Sequence, residues 1–232
     1  MPELMASLDA QGFCLVPDIA DSARIEGLKT ALAQSEVARA ERDGQTYGAR
    51  NLLHVAEVRA VAASAKVAAC LAPLLGPSFR LVRGLFFDKT AGANWPVPWH
   101  QDLSLAVRER CDLPGWINWT VKRSVTHVQP PSEILARMVT MRLHLDDCGA
   151  ENGPLRVIPG SHCLGTLGRA EVLTETQRPP ETIVAEAGDA LFMRPLILHA
   201  SSSAQAPHHR RVLHLEFAPV GLLPCELRWA DA

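Results

Sequence analysis

The apolar positions of this chain change their period once, near Gly76. Before it they recur at helical spacing. In residues 21–42, Ile25, Leu28, Leu32 and Val37 mark one helical face, and Asp21 or Ser22 stands where an N-cap is needed. The alanine-rich run 56–75 predicts a second helix, stopped at Gly76-Pro77. A short strand is expected at 12–17.

After Gly76 the apolar runs become short. Segments 79–89, 138–146, 155–159, 181–187, 190–199 and 211–218 read as strands, bounded by Pro, Gly and Asn-Gly signals. Helices followed by many strands predict an α+β, mainly β chain with an antiparallel core. Residues 103–137 follow neither period, and so long an irregular stretch predicts a functional insert or lid. A short helix is expected to start near Ser132. No repeat or low-complexity linker divides the chain. The expectation is one domain over 1–232, with a helical flank at about 18–76, a β core at about 79–218 and the insert at about 103–137.

Composition narrows the classes. The chain has 232 residues and is 47% hydrophobic, enough for a real core. Charged residues make up 21% and the formal net charge is −2, which offers no case for nucleic acid or an anionic membrane. Basic residues cluster only in the short run 208–211. No apolar run has the length of a membrane span, and the N-terminus lacks a basic signal region. The six cysteines are scattered without a C-x-x-C pair, as in a reduced compartment. These features predict a cytoplasmic protein, and the general frequency of assemblies predicts a monomer or homodimer.

The densest chemistry lies in W-P-V-P-W-H-Q-D, residues 95–102. On a strand, His100 and Asp102 would aim an imidazole and a carboxylate at one point. Two ligands are too few for a metal centre. Two histidines and one carboxylate on one face of an octahedral ion leave three positions open, as in non-haem iron oxygenases. The third ligand must come from His54, His127, His144, His162, His199, His208, His209 or His214. His199 is best placed, because it ends an apolar run and a turn of small residues follows. Arg210 stands eleven residues further on, where a returning strand would begin. Its guanidinium fork suits the far carboxylate of a dicarboxylic co-substrate, and the Ser201 hydroxyl could reach the same group. Strand alternation puts Arg210 on a face with Val212, His214 and Glu216, and Arg211 on the other with Leu213, Leu215 and Phe217.

These segments together carry a resemblance. H-Q-D at 100–102, N-G-P-L-R-V-I-P-G-S-H at 152–162, G-D-A-L-F-M-R-P-L-I-L-H-A-S-S-S at 188–203 and H-R-R-V-L-H-L-E-F at 209–217 occur in this order. Over roughly residues 80–218 the chain resembles the phytanoyl-CoA dioxygenase family of Fe(II)/2-oxoglutarate oxygenases. The resemblance implies a double-stranded β-helix, the cupin-like jelly roll. It implies Fe(II) on His100, Asp102 and His199, and 2-oxoglutarate on Arg210 and Ser201, with O2 as the other co-substrate and ascorbate as a supporting reductant. The family's eleven-residue spacing favours Arg210 over Arg211. Halogenating relatives lack the carboxylate that Asp102 supplies, so hydroxylation of an unactivated C–H, with release of succinate and CO2, is the implied reaction.

Rival readings stay open at this point. The same centre can desaturate, epoxidise or cyclise. A non-catalytic metal- or ligand-binding jelly roll and a zinc hydrolase are the readings from other classes. For the substrate, Trp99, Trp116 and Trp119 are candidates for an aromatic wall, against a plain packing role. Arg142 and Lys89 are candidate anion contacts; the bland alternatives are an Arg142 pair with Asp146 or Glu216 and a solvated Lys89. The lack of a basic cluster argues against a CoA-bearing substrate and for a small or medium polar metabolite.

Overall fold

The structure, a computed structural model, describes residues 2–35, 39–42 and 45–230. Its helices are α1 (Pro2–Ala10), α2 (Ser22–Gln34), α3 (Ala56–Ala62), α4 (Ala65–Leu75), α5 (Ser132–Ala136) and α6 (Arg169–Glu175). Its strands begin with β1 (Phe13–Val16), β2 (Arg39–Arg42), β3 (Gln45–Arg50), β4 (Phe79–Lys89), β5 (Val97–His100), β6 (Leu105–Val107) and β7 (Ile117–Lys122). They continue with β8 (Val125–Gln129), β9 (Val139–His144), β10 (Leu155–Val157), β11 (Glu181–Ile183), β12 (Ala190–Met193), β13 (His199–Ser201) and β14 (Arg210–Pro219).

Two antiparallel sheets form the core. The larger runs β1-β12-β9-β14-β4-β3-β2 and the smaller β11-β10-β13-β5. This is the expected mainly β jelly roll with helices on its N-terminal flank. The larger sheet explains why both faces of its strands are buried. Met141, Leu143, Leu213, Leu215 and Phe217 face the helices and join Leu4, Leu28, Val58 and Leu71 in one apolar cluster. The alternate positions, Arg142, His144, Arg210, Val212 and His214, are buried on the other face.

The helical flank differs from the sequence reading in two places. Asp21 caps α2 as expected, accepting from the Arg24 N–H at 2.8 Å, and Ile25, Leu28 and Leu32 are buried. The helix stops at Gln34 rather than at 42, because residues 39–42 pair with β3 as a strand. Sheet pairing here overrides a helical preference that is weak in any case. Val37 lies outside the described residues. The run 56–75 is two helices, bent by 59°. Ser64 caps the second by accepting from the Val67 N–H. The bend lets Val58 and Val61 on α3 and Val67 and Leu71 on α4 reach the same core. No single helix among the described residues is long and apolar enough to cross a membrane.

The run 190–199 is likewise two strands. β12 ends at Met193 in the large sheet. Pro195 has no N–H for a ladder, and a turn closes with the Ile197 N–H on the Arg194 carbonyl at 3.1 Å. The chain then enters the small sheet as β13. The segment 103–137 also corrects the expectation of an irregular insert. It holds α5 and a three-stranded sheet, β6-β8-β7, packed through Leu105, Val107, Trp116 and Val128 on Leu222, Leu227 and Trp229. β7 is almost wholly exposed, so its sequence carries no alternation to read.

Candidate metal centre

The crossover at Pro195 brings His199 opposite His100, its register partner between β13 and β5. Their ring centroids lie 4.1 Å apart. Each ring is oriented by its own strand: His100 Nδ1 lies 2.9 Å from the Pro98 carbonyl and His199 Nδ1 2.9 Å from the Ile197 carbonyl. A carbonyl only accepts, so Nδ1 carries the proton and the Nε2 lone pair is left for the centre. Asp102 follows the end of β5, and its N–H donates to the Pro195 carbonyl at 2.9 Å. The turn that aims His199 therefore also holds Asp102.

Donor atoms of His100, Asp102 and His199 lie within 4.8 Å of one another. Asp102 Oδ1 is 3.9 Å from His100 Nε2, and Oδ2 is 3.7 Å from His199 Nε2. Oδ2 is buried and accepts no hydrogen bond, an orphan that a cation would satisfy. Burial pushes His199 down to about 3, so it stays neutral, as a ligand must. Burial alone would raise the Asp102 carboxyl, but the His199, His214 and His100 imidazoles and Arg83 hold it below the usual carboxylate range. The donor set fits a divalent metal of the two-histidine, one-carboxylate type.

His214 enters the same site from β14. Its Nε2 is 3.8 Å from Asp102 Oδ2 and 3.6 Å from Glu216 Oε1. Arg142 donates to its Nδ1 at 3.0 Å. An arginine cannot accept, so the His214 proton sits on Nε2 and faces Asp102. The ring thus offers the centre an N–H rather than a lone pair. In the sequence it was one of eight histidines in contention; the arginine beside it excludes it as a ligand.

Short motifs in the sequence acquire mechanical roles. Gln101, between the two ligating types, is buried and donates to the Gly165 and Leu196 carbonyls at 2.8 and 2.6 Å while accepting from the Leu167 N–H. It ties β5 to the loops before α6 and β13. Ser161 donates to the Ile158 carbonyl at 2.7 Å and accepts from the Leu198 N–H at 2.8 Å, bracing the residue before His199.

A cavity of about 260 Å³ opens beside the three ligands, lined by Arg142, Ser201 and Arg210 together with Leu85, Phe87 and Trp95. Arg210 is buried, and its Nη1 donates to the Gly153 carbonyl while Nε has no partner. Gly153 has φ +61, and a Cβ there would sit 2.7 Å from the Ser202 carbonyl, which accounts for the glycine of Asn152-Gly153-Pro154. Arg211 points the other way and grips Asp146 through Nε and Nη2 at 2.8 and 2.7 Å. Only Arg210 of the two faces the cavity.

Lys89 pairs with Arg210 in register and is fully buried. Its Nζ donates to Ser201 Oγ at 2.9 Å and to the Ser202 carbonyl at 2.8 Å. The solvated-lysine alternative is therefore set aside. Burial, then Arg210 and Arg142, push Lys89 down to about 7. Burial and Arg210 bring Arg142 down to about 10, and its Nε also lacks a partner. Arg142 meets His214, not the suggested carboxylates: Asp146 goes to Arg211, and Glu216 takes Arg83 at 3.0 Å. Arg142 and Arg210 thus line the cavity with Ser201, Lys89 stands behind Ser201 within their electrostatic reach, and the single carboxylate among the lining residues, Asp102, belongs to the metal set. A dianion of the size of 2-oxoglutarate fits that charge balance.

The three candidate tryptophans lie elsewhere. Trp99 alternates with His100 on β5 and stacks under Arg156 at 5.3 Å. Trp116 is buried beneath the three-stranded sheet, and Trp119 donates to its carbonyl at 3.2 Å. Trp95 lines the cavity instead, with Lys89 Nζ 5.7 Å from its ring. Its flanking position ahead of the H-Q-D was the only signal.

Fold and donor set together define a jelly-roll protein with a two-histidine, one-carboxylate centre. Residues 8–212 match the phytanoyl-CoA dioxygenase (PhyH) family, and the chain belongs to it. No curated protein sequence matches the chain. Among solved structures it is similar to SnoN, a non-haem alpha ketoglutarate dependent epimerase from nogalamycin biosynthesis, with 20% identity, TM-score 0.70, and coverage of 94% of this chain and 80% of that one. It is also similar to HygX from Streptomyces hygroscopicus, solved with nickel and 2-oxoglutarate, with 17% identity, TM-score 0.68, and coverage of 95% and 88%. A third is EctD from S. alaskensis, with 18% identity, TM-score 0.72, and coverage of 95% and 77%.

Proposed function

We propose that this chain is an Fe(II)- and 2-oxoglutarate-dependent oxygenase that hydroxylates an unactivated C–H of a small-molecule metabolite. The observation that carries the reading is the juxtaposition of the His100-Asp102-His199 donor set with a cavity whose free charges are all positive. His100, Asp102 and His199 hold the metal. Arg210, Ser201 and Lys89 take the far carboxylate of the co-substrate. The bound metal and 2-oxoglutarate supply O2 activation coupled to oxidative decarboxylation of the co-substrate to succinate and CO2. The chain's own residues do the rest. The apolar walls Leu85, Phe87 and Leu155 exclude water from the reacting centre. Arg142 fixes the His214 tautomer, and the His214 N–H faces Asp102 Oδ2.

HygX has been solved with hygromycin B bound and SnoN with nogalamycin RO, so small-molecule substrates suit this fold. SnoN is an epimerase, and an outcome that adds no oxygen is the competing reading. Product mass decides between them: a gain of one oxygen atom supports hydroxylation. The first test needs no substrate. Anaerobic addition of Fe(II) and 2-oxoglutarate should produce the weak visible charge-transfer band of the chelate, and His100→Ala should abolish it. Absence of the band, with tight zinc binding instead, would overturn the oxygenase reading.

A further inference from the structure

We infer that the substrate of this site is anionic, and that its phosphate or carboxylate group docks on Arg50 and Arg123 in a second cavity beside the metal cavity. Calling this ligand the substrate rests on the oxygenase reading; the anion site itself does not.

The placement follows from register. Leu85 lies between His214 on β14 and Arg50 on β3. Cross-strand partners share a sheet face, so Arg50 lies on the inner face with Leu85 and His214. Two strand spacings separate Arg50 from His214, about 10 Å. The second cavity measures about 240 Å³ and is lined by Tyr47, Arg50, Phe87, Trp95 and Arg123 among others. Phe87 and Trp95 also line the metal cavity, so the two share a wall. The Tyr47 ring meets Trp95 edge-on at 5.1 Å. An aromatic rim of this kind suits a ring or an apolar body joining the anion to the reacting carbon.

The electrostatics ask for an anion. The Arg50 side chain is half-buried, and its guanidinium has no hydrogen-bond or ion-pair partner among the described residues. Behind it a narrow cleft collects Arg83, Lys122 and His127. Arg83 is committed to Glu216 at 3.0 Å and to the Ser104 carbonyl at 3.1 Å. Burial and Arg83 push His127 down to about 4, so it adds no compensating or opposing charge at neutral pH. Burial, then Arg83 and Arg123, lower Arg50; burial, then Arg83 and Arg50, lower Lys122. Arg50 therefore lies among three other cations, the partly buried Arg83 and the exposed Lys122 and Arg123, and the neighbouring carboxylate Glu216 is already taken by Arg83. Unpaired like charges cost the free protein stability, and a bound anion would return it.

The backbone adds an independent sign. β7 and β8 join through the two-residue loop Arg123-Ser124, with φ +48 and +63. Two positive φ values in such a loop are the conformation that Asn-Gly adopts most easily. An arginine there sits in a sparsely populated region at some cost, which motivates a functional reason for its presence over the cavity.

Calorimetry on protein loaded anaerobically with Mn(II) and 2-oxoglutarate tests the proposal, with the inner cations already occupied. Phenyl phosphate and phenylacetate are the anionic probes, and phenylacetamide is the neutral control. At least one anion should bind one-to-one, and the amide should bind at least about tenfold more weakly. Arg50→Gln and Arg123→Gln should each weaken the anion by about tenfold. The tighter of the two anions names the group, phosphate or carboxylate. Equal binding of amide and anions, no anion binding, or unchanged affinity in Arg50→Gln would overturn the proposal. So would an anion lost in Arg210→Gln and retained in Arg50→Gln, because that anion sits in the inner cavity. Melting should be no lower in Arg50→Gln; if it falls, Arg50→Lys, which keeps the charge, must retain most of the affinity for the proposal to stand. The Fe(II) band reports separately on the oxygenase reading, so the two can fail independently.

Discussion

Replacing Lys89 by methionine separates the electrostatics of the inner cavity from its packing. The two side chains have similar length, and Lys89 is fully buried. Its ammonium meets Ser201 Oγ and the Ser202 carbonyl but no carboxylate. Burial and the neighbouring Arg210 and Arg142 bring it from 10.5 to about 7. Each pH unit of such a displacement corresponds to about 1.4 kcal/mol, so below pH 7 the folded protein carries a penalty of roughly 5 kcal/mol at most. Methionine removes that penalty but leaves two acceptors without a donor, which costs about 1–3 kcal/mol. The variant should therefore be more stable than the parent by up to about 2–4 kcal/mol at pH 6. The sign of the pH dependence is firmer. Between the folded value near 7 and the unfolded value near 10.5, the unfolded lysine binds the extra proton, so the parent gains stability as pH rises and the variant's advantage shrinks. Urea unfolding of metal-free protein at several pH values from 6 to 9.5 measures the gap. A gap that stays constant or widens with pH would refute the reasoning. Saturating 2-oxoglutarate, which brings the missing counter-charge, should narrow the gap at pH 7.

Four further outcomes follow from the same geometry. Arg210→Ala should raise the 2-oxoglutarate requirement by about 1.5–3 kcal/mol, read from titration of the visible band, because a charge-assisted contact is lost. Arg211→Ala should leave that titration unchanged and lower stability by about 1 kcal/mol through its partly buried Asp146 pair. His214→Phe should weaken metal binding by roughly 10-fold, by analogy with lost supporting contacts elsewhere, as measured by competition with a metal chelator. Gly153→Ala should destabilise the fold by about 1–3 kcal/mol in denaturant titration, since its φ of +61 and the Ser202 carbonyl at 2.7 Å leave no room for a Cβ, and should weaken 2-oxoglutarate along with it.

Some elements were legible because local pattern and burial coincide in them. β4, β9 and β14 match expected runs to within a few residues, since each is long and buried. α2 was legible from its cap and its Ile25-Leu28-Leu32 stripe. α1 was not, because only Leu4 and Leu8 mark its buried face. β7 faces solvent and so leaves no hydrophobic trace. At the site, His100, Asp102 and His199 could be picked out by spacing and resemblance together. His214 could not be ranked, because its exclusion as a ligand depends on which group touches Nδ1. The tryptophans show the same limit: composition placed four of them near the H-Q-D, but strand parity and packing decide which side of the strand each takes.

The amino-acid sequence by itself determined the strand-rich fold class, the choice of ligating residue types and the pair of arginines from which one faces the cavity. Those properties are local: they reside in alternation, in the reach of i and i+2 neighbours, and in the chemistry of single side chains. Tertiary structure alone decided how charge is distributed in space. Lys89, Arg142 and Arg210 come from three strands, and Arg50, Arg83, Lys122 and Arg123 from β3, β4, β7 and the loop after it. A chain with a net charge of −2 and no long basic run can therefore hold two concentrated positive sites. Coulomb interaction depends on distance through the fold, not on separation along the chain, and strand pairing sets that distance.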